Sequence, residues 1–173
     1  TAWLVACSLF FYGWWNPKYL ILICGSMLFN YAIGVQLNPQ GGGKNRKFIL
    51  ISGLVVNLGL LAYFKYYNFL VESFNSATGS SLQLEKIILP LAISFFTFQQ
   101  IAYLIDAYRG EMKEYNFLHY CLFVTFFPQL IAGPIVHHKE MMPQFDRNKT
   151  YKFNWDNISV GMTLFFIGLF KKL

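Results

Sequence analysis

The sequence predicts an all-α fold, a polytopic transmembrane helical bundle with one broken or re-entrant helix. Three observations predict it. Hydrophobic residues fill 55% of the 173 positions and charged residues only 13%, roughly half the charged share of a soluble domain. The apolar residues gather in long runs separated by short polar segments, the pattern of membrane spans. One run, "FFPQLIAGPIVHHKEMMPQF" at 126–145, sets Pro128, Gly133 and Pro134 inside its apolar part. Mean hydropathy is +0.40, aromatics reach 20%, and phenylalanine alone accounts for 19 residues. That much apolar side chain exceeds what one soluble core of this size can hide.

The net charge of +6 is spread over short loops. It reads as topology signal and headgroup contact, with no nucleic acid as partner. Cys7, Cys24 and Cys121 all sit in apolar runs without metal-ligand spacing, so they read as small buried hydrophobes and no metal site is expected. Residues 1–173 read as a single transmembrane domain truncated at both ends. "TAWLVACSLFFYGWW" starts in mid-helix, and "LFKKL" stops without a tail.

The spans follow in order. Residues 2–15 form a first apolar segment closed by Trp14, Trp15, Asn16 and Pro17, and tryptophans beside a turn suit the headgroup boundary. Residues 18–36 form a second, long enough at about 1.5 Å per residue to cross a hydrocarbon core of roughly 30 Å. Its Gly25 and Ser26 allow a close helix neighbour. The stretch "LNPQGGGKNRK" at 37–47 is a loop whose Lys44, Arg46 and Lys47 place it in the cytoplasm. Residues 48–70 form a third span with Asn57 near its middle, and 71–86 form a polar loop on the opposite side. Residues 87–105 form a fourth span with Pro90 in its first turn, where a missing N–H costs little. A short apolar helix follows at 157–170, too short to span upright.

Between them lies 117–136, the interrupted segment. If it crossed fully, the basic stretch 137–155 would land outside, against the positive-inside bias. Its prolines and glycine free backbone groups that lipid cannot satisfy but a protein interior or wet cavity can. The segment therefore reads as a broken or re-entrant helix at a cavity wall.

Ser94, Thr97, Gln99 and Gln100 interrupt the fourth span, and Thr97, Gln100 and Tyr103 share one helical face. Hydrogen bonding between helices is the plain account, and a polar cavity wall is the functional one. Gln129 sits next to Pro128 and must find partners for a buried amide. His137 and His138 follow the break; interface contacts with headgroups or backbone suit them better than catalysis. No hydrolase elbow, phosphate loop or zinc motif is present in the sequence. Broken helices and midplane polar residues also suit a membrane transporter or flippase-like protein, although no inverted repeat is visible.

Three strings decide between these readings. They are "LPLAISFFTFQQIAYLIDAYRGE" at 89–111, "NFLHYCLFVTFFPQLIAGPIVHHKEMMPQF" at 116–145 and "GMTLFFIGLFKKL" at 161–173. In this order and spacing the chain resembles the membrane-bound O-acyltransferases, in the branch that O-acetylates alginate. The early "FYGWWNPKYLILI" and "FKYYNF" strings fit the same branch. The resemblance implies a multi-helix fold around a central funnel, in a multi-pass protein of the bacterial inner membrane. It implies acyl transfer, acetyl above all, from acetyl-CoA or another acyl thioester to hydroxyls of an extracytoplasmic polysaccharide. The partners it implies are the lipid bilayer, the acyl donor, the polysaccharide acceptor and a periplasmic acetyltransferase. The family's essential histidine lies in a later helix, so no catalytic residue is assigned within 1–173. The resemblance makes Pro128 to Ile135 part of the conduit wall. Thr97, Gln100, Pro128, Gln129, Gly133, Pro134, His137 and His138 are thus the candidates for the substrate path.

Overall fold

Helix α1 (Ala2–Trp15) ends where Asn16 turns extended, and the Asn16 side chain accepts from Lys18 N at 3.0 Å to open α2 (Pro17–Gln36). Pro17 takes the first helical position, where its missing N–H is no loss. The computed structural model describes residues 1–38, 45–79, 85–111, 116–133, 141, 144–145 and 152–172. Among these every regular element is a helix. The chain divides into two compact units, Thr1–Met142 and Pro143–Leu173.

Helix α3 (Arg46–Thr78) has 33 residues and is about 50 Å long, well beyond a hydrocarbon core of roughly 30 Å. The apolar run predicted a span ending at residue 70, with a loop from 71. Instead "VESFNSAT" at 71–78 continues the helix, because it holds neither glycine nor proline. Gly79, in the left-handed region at φ 66, ends it. Helices α2 and α3 are both long and apolar enough to cross a membrane.

Helix α4 (Ile93–Arg109) begins six residues later than the predicted 87, and Pro90 lies upstream of it, not in its first turn. Side chains hold the preceding backbone in a non-helical path. Asn68 accepts from Ile87 N at 3.0 Å and donates to Ile87 O at 2.8 Å. Tyr19 donates to Ile88 O, and Tyr12 to Leu91 O at 3.2 Å. Those groups have partners without a helix, and Ala92 at φ 54 turns the chain into α4.

Helices α5 (Phe117–Thr125) and α6 (Phe127–Ala132) follow. In the first unit α4 is the central strut, packed against α2, α3, α5 and α6. Nine of its 17 residues are buried, against three of 33 in α3. The rest of α3 presents Val55, Tyr66 and Phe69 outward. At the other end of α4, Arg46 ties three helices together. Its guanidinium donates to Leu37 O (3.0 and 2.8 Å) and Tyr108 O (2.5 Å), and it stacks over the Tyr108 ring.

Helices α2 and α4 meet at Gly34. A Cβ there would lie 2.3 Å from Tyr103 Cε1 and 2.7 Å from Cζ, against a ring that is 1% exposed. Gly34→Ala is therefore expected to push α2 off α4 and cost about 1–3 kcal/mol. A thermal midpoint in detergent equal to that of the parent would contradict this.

The second unit contains α7 (Trp155–Lys172), 18 residues where the apolar run predicted 14. Two of the four extra residues lie at the start, which Asn154 caps: its side chain accepts from Asp156 N (2.8 Å) and Asn157 N (3.3 Å). Lys171 and Lys172 close the helix, where cations favour the dipole.

Candidate functional site: a buried amide cluster and a broken helix

Asn30 on α2, Asn57 on α3 and Gln100 on α4 meet in the interior, at 0%, 2% and 0% exposure. Asn30 and Asn57 form a reciprocal pair. Asn57 Nδ2 donates to Asn30 Oδ1 at 2.6 Å, and Asn30 Nδ2 to Asn57 Oδ1 at 3.1 Å. Gln100 Oε1 accepts from Asn30 Nδ2 and from Ser26 Oγ, both at 2.6 Å. Asn57 Nδ2 also reaches Gly53 O at 2.8 Å, and Asn30 Nδ2 reaches Ser26 O at 2.9 Å. Three helices are thereby joined by neutral amides. Amides donate and accept hydrogen bonds but do not ionise near neutral pH. The cluster can position groups and cannot serve as a general base.

On the same helix, Thr97 Oγ1, Gln99 Oε1 and Gln100 Nε2 are buried without a partner among the described residues, as are Ser8 Oγ on α1 and Tyr120 OH on α5. Groups so placed recruit water or another polar surface, because an unpaired buried hydroxyl or amide costs about 1–3 kcal/mol.

The predicted interruption lies at Phe126, where ψ of 98 leaves the helical region. Pro128 explains the position. A continued helix would ask the proline nitrogen to bond Val124 O and would set its ring against that carbonyl. The chain instead closes α5 with Phe126 N on Leu122 O (2.9 Å). It restarts α6 with Gln129 N and Leu130 N on Phe126 O (3.1 and 2.9 Å). Helix α6 packs on α1 and α4: Leu130 is buried, Phe127 stacks on Phe11 at 5.0 Å, and Pro128 is exposed.

Gly133 ends α6, with its N–H on Gln129 O at 2.9 Å. A Cβ there would meet Gln129 Cα at 2.8 Å and Gln129 O at 2.9 Å, and backbone does not yield cheaply. Gly133→Ala should therefore open the last turn of α6. Faster backbone amide exchange over 127–133 in the variant than in the parent would register it, and identical protection would contradict it.

The structure thus brings Gln100 together with Asn30, Asn57 and Ser26, and places Thr97 one turn away. Gln129 and Gly133 belong to the neighbouring α6. Pro134, His137 and His138 lie outside the described residues. Sequence reasoning noted Asn57 and Gln100 separately and passed over Asn30. A search for single amides recurring at mid-depth in successive apolar runs would have linked all three.

A family model described as membrane-bound O-acyltransferase family matches residues 106–173. A peptidoglycan O-acetyltransferase of Helicobacter pylori is 47% identical, over 99% of this chain and 37% of its own length. A probable alginate O-acetylase of Pseudomonas aeruginosa is 40% identical, over 98% of this chain and 33% of its own length. A teichoic acid D-alanyltransferase of Lacticaseibacillus rhamnosus is 30% identical over 33% of this chain. The chain spans about a third of the length of the first two relatives. No solved structure matches the chain.

Proposed function

This chain belongs to the membrane-bound O-acyltransferase family, and on that premise we propose that the protein transfers an acetyl group to hydroxyls of an extracytoplasmic polysaccharide. The observation that carries the proposal is 47% identity across 99% of the chain to a relative named for O-acetylation of peptidoglycan. The alginate relatives support the same acceptor class, a hydroxyl-rich envelope polymer. The donor is an acyl thioester, acetyl-CoA by preference, approached from the cytoplasm. A periplasmic acetyltransferase receives or completes the transfer.

The reaction needs a base beside the acceptor hydroxyl. The amide cluster offers none, and on the family resemblance the base is a histidine of a later helix. The role of α4, α5 and α6 is then to shape the passage, with Thr97, Gln100, Pro128, Gln129, Gly133 and Pro134 along it and His137 and His138 at its mouth. The decisive experiment removes the gene from its host and measures base-labile acetate on purified peptidoglycan and on exopolysaccharide. Loss from one polymer, restored by complementation, is expected and identifies the acceptor. Unchanged acetate on both would refute the proposal.

In the full-length protein His137→Ala and His138→Ala should each lower transfer by less than about tenfold, below the 10²–10⁴-fold typical of a lost acid–base catalyst. Gln129→Leu should reduce transfer more than it reduces membrane insertion. Abolition of transfer by either histidine variant would make that histidine the base.

The protein is a multi-pass protein of the bacterial inner membrane in this proposal, with the basic stretch 37–47 in the cytoplasm and 71–86 on the opposite side. Gly42→Cys and Ser80→Cys, in a background without native cysteines, should label from opposite faces with an impermeant maleimide. Labelling of both from one face would overturn the topology.

A further inference from the structure

Gln100 is only half satisfied by the amide cluster. Its Oε1 accepts from Ser26 Oγ and Asn30 Nδ2, both at 2.6 Å, which occupies both carbonyl lone pairs. Its Nε2 carries two N–H donors and has no partner among the described residues, and neither has Thr97 Oγ1. Thr97 lies three residues earlier on α4, so the two side chains leave the helix about 60° apart in azimuth and about 4.5 Å apart along its axis. Helical side chains lean toward the N-terminus, which carries the Gln100 amide back toward the turn of Thr97. One group offers donors and the other an acceptor, at neighbouring positions of one buried face, yet no direct bond joins them.

What joins them must be small. Both residues are sealed by this chain's own helices, Gln100 at 0% and Thr97 at 1% exposure. A side chain from any other part of the protein would have to prise α4 from the helices packed on it to reach either atom. A water needs only about 30 Å³ and two to four polar partners. The two side chains flanking the Gln100 amide, Ser26 and Thr97, are both small. A buried amide donor or hydroxyl left bare is destabilising. The two donors on Gln100 Oε1 also polarise the amide, which makes its N–H groups stronger donors. We propose that one ordered water bridges the two residues: Gln100 Nε2–H donates to the water oxygen, and the water donates to Thr97 Oγ1. The bridge extends the Asn30–Asn57–Gln100 network by about one turn of α4 and gives Gln100 a partner on its unmade side. It is independent of the proposed acyl transfer.

The test uses the full-length protein in detergent micelles, oxidised by brief X-ray radiolysis and read residue by residue by mass spectrometry. Hydroxyl radical formed from a bound water oxidises the side chains that touch it, however little bulk solvent they meet. Ile93 and Leu104 share the face of α4 that carries Thr97 and Gln100 and are 1% and 0% exposed, while Leu122 on α5 is equally buried and serves as the dry reference. In the parent Ile93 and Leu104 should be oxidised severalfold faster than Leu122. Thr97→Val keeps the shape and removes the hydroxyl. It should abolish that difference and raise the equilibrium constant for reversible unfolding about three- to tenfold, the size of one lost hydrogen bond. Thr97→Ser keeps the hydroxyl and should oxidise as the parent does. Equal oxidation of the three residues in the parent would mean a dry interior and would overturn the proposal, whether or not Thr97→Val folds. Fast oxidation that Thr97→Val leaves unchanged would mean water of a wider passage and not a held molecule; that would overturn the bridge and leave the proposed acyl transfer standing. An unfolding constant unchanged or lowered in Thr97→Val would mean that the hydroxyl is bare in the parent, which would also overturn it.

Discussion

Asn30→Leu should lower the stability of the full-length protein by about 2 kcal/mol, the sum of three weakened contacts at roughly 0.6 kcal/mol each in a membrane interior. The substitution keeps the branched outline of the side chain and removes the central amide. Asn57 then loses the acceptor of its 2.6 Å bond and the donor to its carbonyl, and Gln100 Oε1 keeps only Ser26. The water-based figure for an orphaned buried group, about 1–3 kcal/mol, points to the same size. Replacing Asn30, Asn57 and Gln100 together by apolar residues should cost less than the sum of the single changes, because no amide of the cluster is then left without its partner. Reversible unfolding in mixed micelles can measure both. A single Asn30→Leu within about 0.5 kcal/mol of the parent, or strict additivity across the triple, would show that the cluster is not a cooperative unit.

Arg46→Ala should have an effect of similar or larger size, about 2–3 kcal/mol. A hydrogen bond to a charged group contributes about 1.5–3 kcal/mol, and Arg46 makes three, reaching the last turns of both α2 and α4. The site is half-buried, so solvent screening keeps the total well below a simple sum. The carbonyls of Leu37 and Tyr108 lie at helix C-termini, where a cation also meets the negative end of the dipole. Arg46→Lys keeps the charge but loses the fork and the planar stack on Tyr108. It should recover less than half of the lost stability. Full recovery by lysine would mean that charge alone matters, and a neutral Arg46→Ala would mean that α2, α3 and α4 need no clasp at that end.

The sequence by itself determined the class and much of the element order. An apolar majority interrupted by short polar segments leaves few alternatives to membrane helices, because lipid satisfies no backbone group and the helix satisfies its own. The break was legible for the same kind of reason. Pro128 has no N–H to give, so a discontinuity near it is forced by covalent structure alone. The ordered strings at 89–111, 116–145 and 161–173 carried the family resemblance. Boundaries set by distant partners were not legible. Helix α4 starts at Ile93 and not at 87, because Asn68, Tyr19 and Tyr12 hold the carbonyls of Ile87, Ile88 and Leu91, and nothing local announces those contacts. Arg46 showed itself in the sequence as one positive charge in a loop and became a clasp only when α2 and α4 ended beside it. The amide cluster is the clearest case. Asn30, Asn57 and Gln100 are each a single polar residue in an apolar run, which hydropathy alone records as a cost. Packing brings α2, α3 and α4 together at one depth and joins the three amides in one hydrogen-bonded network, because a hydrogen bond depends on distance in space and not on separation along the chain.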